Sequence, residues 1–227
     1  MTEASMIGLL VATVSFGALL YLAALGELIS EKAGVLNLGV EGMMAMGAVS
    51  AFMAAHQTGN PWIGLVVGIL AGALTGLLHG WFTVVLGAEQ VVSGLSLTIL
   101  GLGFAAYMGK NVVGRPPGAV LAPVDWGPLT DIPWAGPVLF GQAPFVYLAV
   151  LAGFATWFLL WRTRIGLALR AAGDSASTAD AAGHSVVGLR LGAVVAGGGL
   201  AGLLAARREG TRDADEPAVV LLTGIER

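Results

Sequence analysis

Residues 42–88 read GMMAMGAVSAFMAAHQTGNPWIGLVVGILAGALTGLLHGWFTVVLGA and contain no Asp, Glu, Lys or Arg. A helix crosses the hydrocarbon core of a bilayer with about 20 apolar residues. This run is long enough for two crossings, and Gly59-Asn60-Pro61 divides it at a turn. Working outward, further charge-free runs extend from Ala4 to Gly26, Gln90 to Gly109 and Ile132 to Trp161, with a shorter one from Leu191 to Ala206. A charge at the centre of a bilayer is expensive, so this spacing marks spans. Six are expected, at about 6–28, 35–55, 61–86, 91–109, 144–161 and 189–206. The expected fold class is an all-α polytopic membrane protein.

Composition agrees. Only 11% of the 227 residues are charged and 56% are hydrophobic, whereas soluble domains carry roughly 25% charge. Mean hydropathy is +0.84. Too little polar surface is available to cover a water-soluble globule of this size. The first span reads as a retained helix rather than a cleaved leader, because nothing basic precedes it and its apolar run is long.

Orientation follows from the arginines. Arg162, Arg164, Arg170 and Arg190 lie in or beside the segment between spans five and six, opposed there by Asp174 and Asp180. The positive-inside rule puts that segment in the cytoplasm. The stretch 110–143 and the turn at 56–60 then fall outside, although Lys110 and Arg115 pull the other way. The turns at 87–90 and around Glu31-Lys32 fall inside, and the amino terminus outside.

Several classes of chemistry are excluded. The absence of cysteine removes disulfides, thiolate metal sites and a cysteine nucleophile. His56, His79 and His184 lie in separate segments without metal-ligand spacing. Neither H-E-x-x-H nor G-x-S-x-G occurs. The nearest relative of a phosphate loop, Gly103 to Lys110 followed by Asn111, has a spacer one residue too long and lacks the Ser or Thr for magnesium. No basic tract suggests nucleic acid. The sequence reads as a non-enzyme with no metal and no cofactor.

Four stretches carry more specific information. Gly64, Gly68, Gly72, Gly76 and Gly80 recur at every fourth position of the third span and form a smooth stripe suited to a tight helix–helix seam. Between Gly26 and Gly42 three carboxylates, Asn37 and several glycines interrupt two apolar runs. This reads either as an interfacial loop with solvated charges or as a broken-helix hairpin, near 27–42, beside a translocation path. Gln90, Ser93 and Ser96 repeat every third residue and occupy about a third of a helix circumference. They either line a path or hydrogen-bond to a neighbouring helix. In the arginine-bearing loop, Asp174 or Ser175 is placed to cap a short Ala-rich helix that Gly183 ends. That element suits docking of a peripheral partner, or it is a solvated linker.

A resemblance then sharpens the reading. Ala24 to Met44, containing Gly26-Glu27-Leu28-Ile29-Ser30-Glu31-Lys32-Ala33-Gly34 and Asn37-Leu38-Gly39-Val40-Glu41-Gly42, resembles the signature of ABC importer permeases of the nucleoside and simple-sugar branch. These work with a binding lipoprotein of the basic membrane protein type. Gln90-Val91-Val92-Ser93-Gly94-Leu95 resembles the opening of their next substrate-facing helix, with Glu89 in place of a more usual Asn. Leu129-Thr130-Asp131-Ile132-Pro133 with Gly136-Pro137 and Phe140 resembles their outer loop. Arg162 to Ala171 together with Ala179-Asp180-Ala181-Ala182-Gly183 resembles their ATPase-coupling loop. The resemblance covers roughly residues 10–206.

It implies a permease subunit of an importer in a bacterial inner membrane, multi-pass and embedded in the lipid bilayer. A second permease subunit, an ABC ATPase and an extracytoplasmic solute-binding lipoprotein are the implied partners, with no nucleic acid. Asn37, Glu41, Gln90, Ser93 and Ser96 would line the substrate pathway. Arg170, Gly173, Asp174, Asp180 and Gly183 would serve ATPase coupling through a cytoplasmic coupling helix, and bulky residues at Gly173 and Gly183 would weaken docking. The rival readings are a stand-alone secondary transporter, with Glu27, Glu41 or Glu89 coupling to ions, and a truncated membrane protein that does not transport. The second arises from the tail. Residues 1–206 read as the transmembrane permease domain, incomplete relative to the family. In 207–227, by contrast, seven of the ten residues from Arg207 to Glu216 are charged. The tail reads either as a soluble extension or as the result of a frameshift.

Overall fold

The computed structural model describes residues 3–110, 121–124, 126–130 and 132–203. Within these the chain is helical: α1 (Glu3–Lys32), α2 (Val40–Thr58), α3 (Pro61–Gly80), α4 (Gln90–Gly109), α5 (Pro144–Arg162), α6 (Arg164–Asp174), α7 (Ala176–Ala181) and α8 (Val186–Leu203). The charged tail 207–227 lies outside the described residues, as do Arg115 and Asp131.

Five helices are long and apolar enough to cross a membrane: Ser5–Lys32, Pro61–Val85, Gln90–Gly109, Pro144–Arg162 and Val186–Leu203. This corrects the expectation of six. The missing one is α2, which carries Glu41, His56 and Gln57 within 19 residues. Its position gives the reason. It lies among α3, α4 and α8, and its buried residues, Gly42, Met43, Ala45, Gly47, Val49, Ala51 and Ala55, are spread around its axis. A helix enclosed by other helices has no need of a broad lipid-soluble face.

Helix boundaries follow local chemistry. Gly59 closes α2 in the left-handed region at φ 66°, its N–H donating to the Ala55 carbonyl. Asn60 then caps α3, its Oδ1 accepting from the Trp62 N–H at 2.9 Å, with Pro61 in the first turn. Asn60→Ala should lower the stability of the purified protein by about 1 kcal/mol, read as a drop in thermal unfolding midpoint in detergent that Asn60→Asp does not share. Beyond α3 a π-helical turn, Trp81–Val85, widens the last turn before the chain reverses. Glu89 caps α4 through both carboxylate oxygens, which accept from Val91 N–H at 3.1 Å and Val92 N–H at 2.7 Å.

The stripe of glycines on α3 is the seam the sequence predicted, and its partner is α8. A Cβ placed on Gly76 would come within 2.7 Å of the Val194 carbonyl oxygen, and one on Gly72 would meet the Gly198 carbonyl and the Gly202 backbone. The second side of α8 meets α1, where Gly26 and Gly197 face each other at a similarly close approach. Between α2 and α4 the pair is Gly42 and Gly101. Lipid offers no hydrophobic drive to helix association, so backbone-to-backbone packing supplies the cohesion. Toward the far end from the arginine-bearing loop, α5 seats Phe145, Val146 and Ala149 against Leu22 of α1. There Ser15 donates to the buried Gln142 Oε1 at 2.7 Å, and Gln142 Nε2 donates to the Val138 carbonyl.

Candidate translocation site and coupling loop

α1 runs unbroken through Gly26 and Glu27, so the interruption is confined to residues 33–39. Gly34 adopts φ 83°, a left-handed turn that a residue with a Cβ resists, and α2 starts only at Val40, five residues later than its expected boundary. Backbone groups freed in this way need hydrogen-bond partners outside the helix ladder.

Side chains from three helices supply them. The Leu36 N–H donates to Gln90 Oε1 at 2.8 Å, and the Leu36 carbonyl faces His79 Nε2 at 3.3 Å. The Asn37 N–H donates to Glu27 Oε1 at 2.9 Å, while Asn37 Oδ1 accepts from the Gly39 N–H at 3.1 Å. The Leu38 carbonyl accepts from Thr98 Oγ1 at 2.9 Å. His79 is 1% exposed. A ring nitrogen facing a carbonyl must carry a proton, so Nε2 donates to Leu36, while Nδ1 lies 3.1 Å from Ser93 Oγ. Glu27 Oε2 is buried with no hydrogen-bond partner.

The five predicted pathway residues therefore separate. Asn37, Gln90 and Ser93 converge on the broken segment, where each already makes a hydrogen bond. Glu41 and Ser96 are exposed. A three-residue step falls short of a full turn, so Ser96 has drifted about 120° around α4 from Gln90. The face of α4 that packs carries Gly94, Leu97 and Gly101. Glu27, His79 and Thr98 belong to the cluster although the residue spacing did not single them out for the pathway. The available signal was an ionisable residue in or beside an apolar span, which rarely lies there without a partner.

On the arginine-bearing side, α6 and α7 are short helices, and α7 is the short Ala-rich helix expected before Gly183. Ser175 caps α7, accepting from the Thr178 N–H, whereas Asp174 closes α6. Asp174, Asp180 and Gly183 are exposed. Gly173 is different: a Cβ there would strike the Lys32 carbonyl and come within 3.2 Å of the Gly34 N, so this glycine packs inside the subunit against the end of α1. Arg170 is half-buried, its guanidinium 5.7 Å from the Trp161 ring centroid. Among the described residues no group of three or more His, Cys, Asp or Glu is placed to hold a metal ion.

The chain that holds this segment with polar side chains from α1, α3 and α4 also matches a known family in sequence. Residues 9–207 match the model of the branched-chain amino acid transport system / permease component. The chain belongs to that permease family. Among its relatives, "Putative glucose ABC transporter permease protein TsgC13" of Haloferax volcanii is 42% identical over 86% of this chain and 60% of its own length. "Guanosine ABC transporter permease protein NupQ" of Bacillus subtilis is 33% identical over 84% of this chain and 64% of its own. "Nucleoside ABC transporter permease protein NupC" of Lactococcus lactis is 30% identical over 81% and 61%. The permease chain thus spans between 60% and 64% of the length of these curated relatives. No solved structure matches.

Proposed function

We propose that the chain is a membrane-spanning permease subunit of an ATP-binding-cassette importer for nucleosides or similar sugar-containing solutes. ATP hydrolysis belongs to a separate ATPase subunit, and the permease itself is not an enzyme. A second permease subunit completes the passage and an extracytoplasmic lipoprotein delivers the solute. The membrane is the cytoplasmic membrane of a prokaryotic cell. The observation that carries this reading is the segment 33–39, unwound at the end of a membrane helix and held by Glu27, His79, Gln90 and Thr98. Irregular backbone at depth is tolerated where protein or a water-filled cavity satisfies it. The names of the relatives, which include guanosine, nucleoside and glucose permeases, point to the solute class.

In this reading Asn37, Gln90 and Ser93 shape the passage, and exposed Glu41 and Ser96 line it at the junction with the second permease. Both are polar residues on helices, and neither is suited to face lipid. The exposed residues Asp174, Asp180 and Gly183 form the ATPase-facing surface, with Arg170 and Gly173 fixing it to the bundle. ATP-driven uptake requires that the ATPase bind two conformations of the permease with different free energies.

The test is uptake of labelled guanosine and glucose into vesicles carrying the permease, its ATPase and its lipoprotein. Uptake of at least one solute is expected with ATP, and none when the ATPase is omitted. Uptake that survives removal of the ATPase would overturn the assignment. Reversing charge at Asp174 and Asp180 together (Asp174→Lys with Asp180→Lys) should reduce the ATPase retained on the purified permease at least tenfold, without changing the amount of permease in the membrane.

A further inference from the structure

Arg190 is the fifth residue of α8, one turn in from the end of the helix that follows the arginine-bearing loop. Here its guanidinium is turned inward and donates to two backbone carbonyls that belong to different parts of the chain. Nε donates to the Ala33 carbonyl at 3.1 Å and Nη2 to the Ala172 carbonyl at 3.1 Å. Ala33 is the first residue beyond α1 and the opening of the broken segment; Ala172 lies in the last turn of α6. Ala33 and Ala172 are both fully buried. Beside them Gly173 lies directly against the Lys32 carbonyl and the Gly34 backbone, so the two segments touch with no side chain between them. A planar guanidinium presents a rigid fork of donors to the two carbonyls, whereas a lysine ammonium would reach them only as a point charge on a flexible stem.

We propose that Arg190 is the positioning residue that makes movement of the coupling element and movement of the broken segment a single event. The proposal rests on the functional reading above and adds the route by which the ATPase acts. A force applied to α6 reaches residue 33 through the Arg190 side chain, through the backbone contact at Gly173 and through the buried packing of Leu169 with Ile29 and Ala33. From residue 33 it passes, within a few residues, to Leu36, Asn37 and Leu38, whose backbone groups are held by Gln90, His79, Glu27 and Thr98. The coupling element is thereby connected to the pathway cluster without passing through the length of any membrane helix.

The experiment uses the full chain with its ATPase and lipoprotein and reads the ratio of solute imported to ATP hydrolysed. In Arg190→Gln and Arg190→Lys the ATPase should still co-purify and hydrolyse ATP, while the ratio falls at least tenfold. A purely structural role would lower the amount of assembled complex and leave the ratio of the surviving complex unchanged; that result overturns the proposal. A second measurement needs no substitution at Arg190. In the wild-type complex, ATP binding should change hydrogen exchange at the Leu36, Asn37 and Gly39 amides, which lie away from the exposed docking surface; unaltered exchange there overturns the proposal even if the variants fail to fold. A wild-type complex that imports nothing with ATP would overturn the proposed function itself, a result distinct from import that persists undiminished in the Arg190 variants.

Discussion

Gly72→Val should leave almost no folded permease in the membrane. At this position α3 and α8 touch through their backbones, and a single Cβ would lie on top of the Gly198 carbonyl and within 2.8 Å of the Gly202 Cα and N. Overfilling a packed core by a methylene or two costs about 1–3 kcal/mol when side chains can shift. Neither partner here is a side chain, so the helices themselves must separate. Separation would also strip contacts from Gly68, Gly76 and Gly202 along the same seam. The loss is read as permease recovered from membranes after mild detergent extraction, with a fluorescence size-exclusion profile for the surviving fraction. Gly192→Ala and Gly103→Ala provide the contrast. Nothing lies within 4 Å of a Cβ at either position, and alanine is favoured over glycine in a helix by up to about 1 kcal/mol. Both should accumulate at least as well as wild type.

Gln90→Leu should cut transport by about one to two orders of magnitude while leaving much of the protein folded. The substitution nearly preserves volume but removes the acceptor for the Leu36 N–H. An amide stranded in a poorly solvated site costs about 1–3 kcal/mol, and the segment can recover that energy only by moving. Since 1.4 kcal/mol corresponds to a factor of ten, uptake should fall by about tenfold to a hundredfold, with thermal unfolding in detergent lowered only modestly. Gln90→Glu keeps an oxygen at the same reach and should restore most of the uptake. Ser96→Ala, at an exposed position of α4, should leave the stability of the fold unchanged. If Gln90→Leu and Gln90→Glu are equally impaired, the bond to Leu36 is not what matters at this position.

Much of this architecture was legible in the residues. Charge-free runs located five of the long helices, because the energetic penalty for charge in lipid acts residue by residue and needs no knowledge of partners. The turn at Gly59-Asn60-Pro61 was legible for a similar reason: its geometry is set by the three residues themselves. The glycine register on α3 announced a seam, but its partner could not be read from α3 alone; Gly198 and Gly202 become its complement only once α8 is folded back. The enclosure of α2 among α3, α4 and α8 is a tertiary fact that its own residues do not announce. Within the site, Gln90 and Ser93 reach Leu36 and His79, whereas Ser96, two three-residue steps further along α4, lies exposed. The hydrogen bond from Arg190 to Ala33 connects residues 157 positions apart, and no local pattern announces it. Gly173 and Gly183 looked equivalent in the sequence. One proved to be an internal contact and the other an exposed turn.

The order of synthesis gives α8 a further importance. The ribosome has delivered α1, α2 and α3 to the bilayer long before residues 186–203 emerge, and until then the bare backbone grooves at Gly26, Gly72 and Gly76 have no occupant. The early helices can already pair through Gly42 with Gly101 and Gly47 with Gly68, but not through these grooves. Arrival of α8 fills the grooves on two sides at once and, through Arg190, fastens the loop that precedes it. A helix made late thus knits together neighbours that were made early.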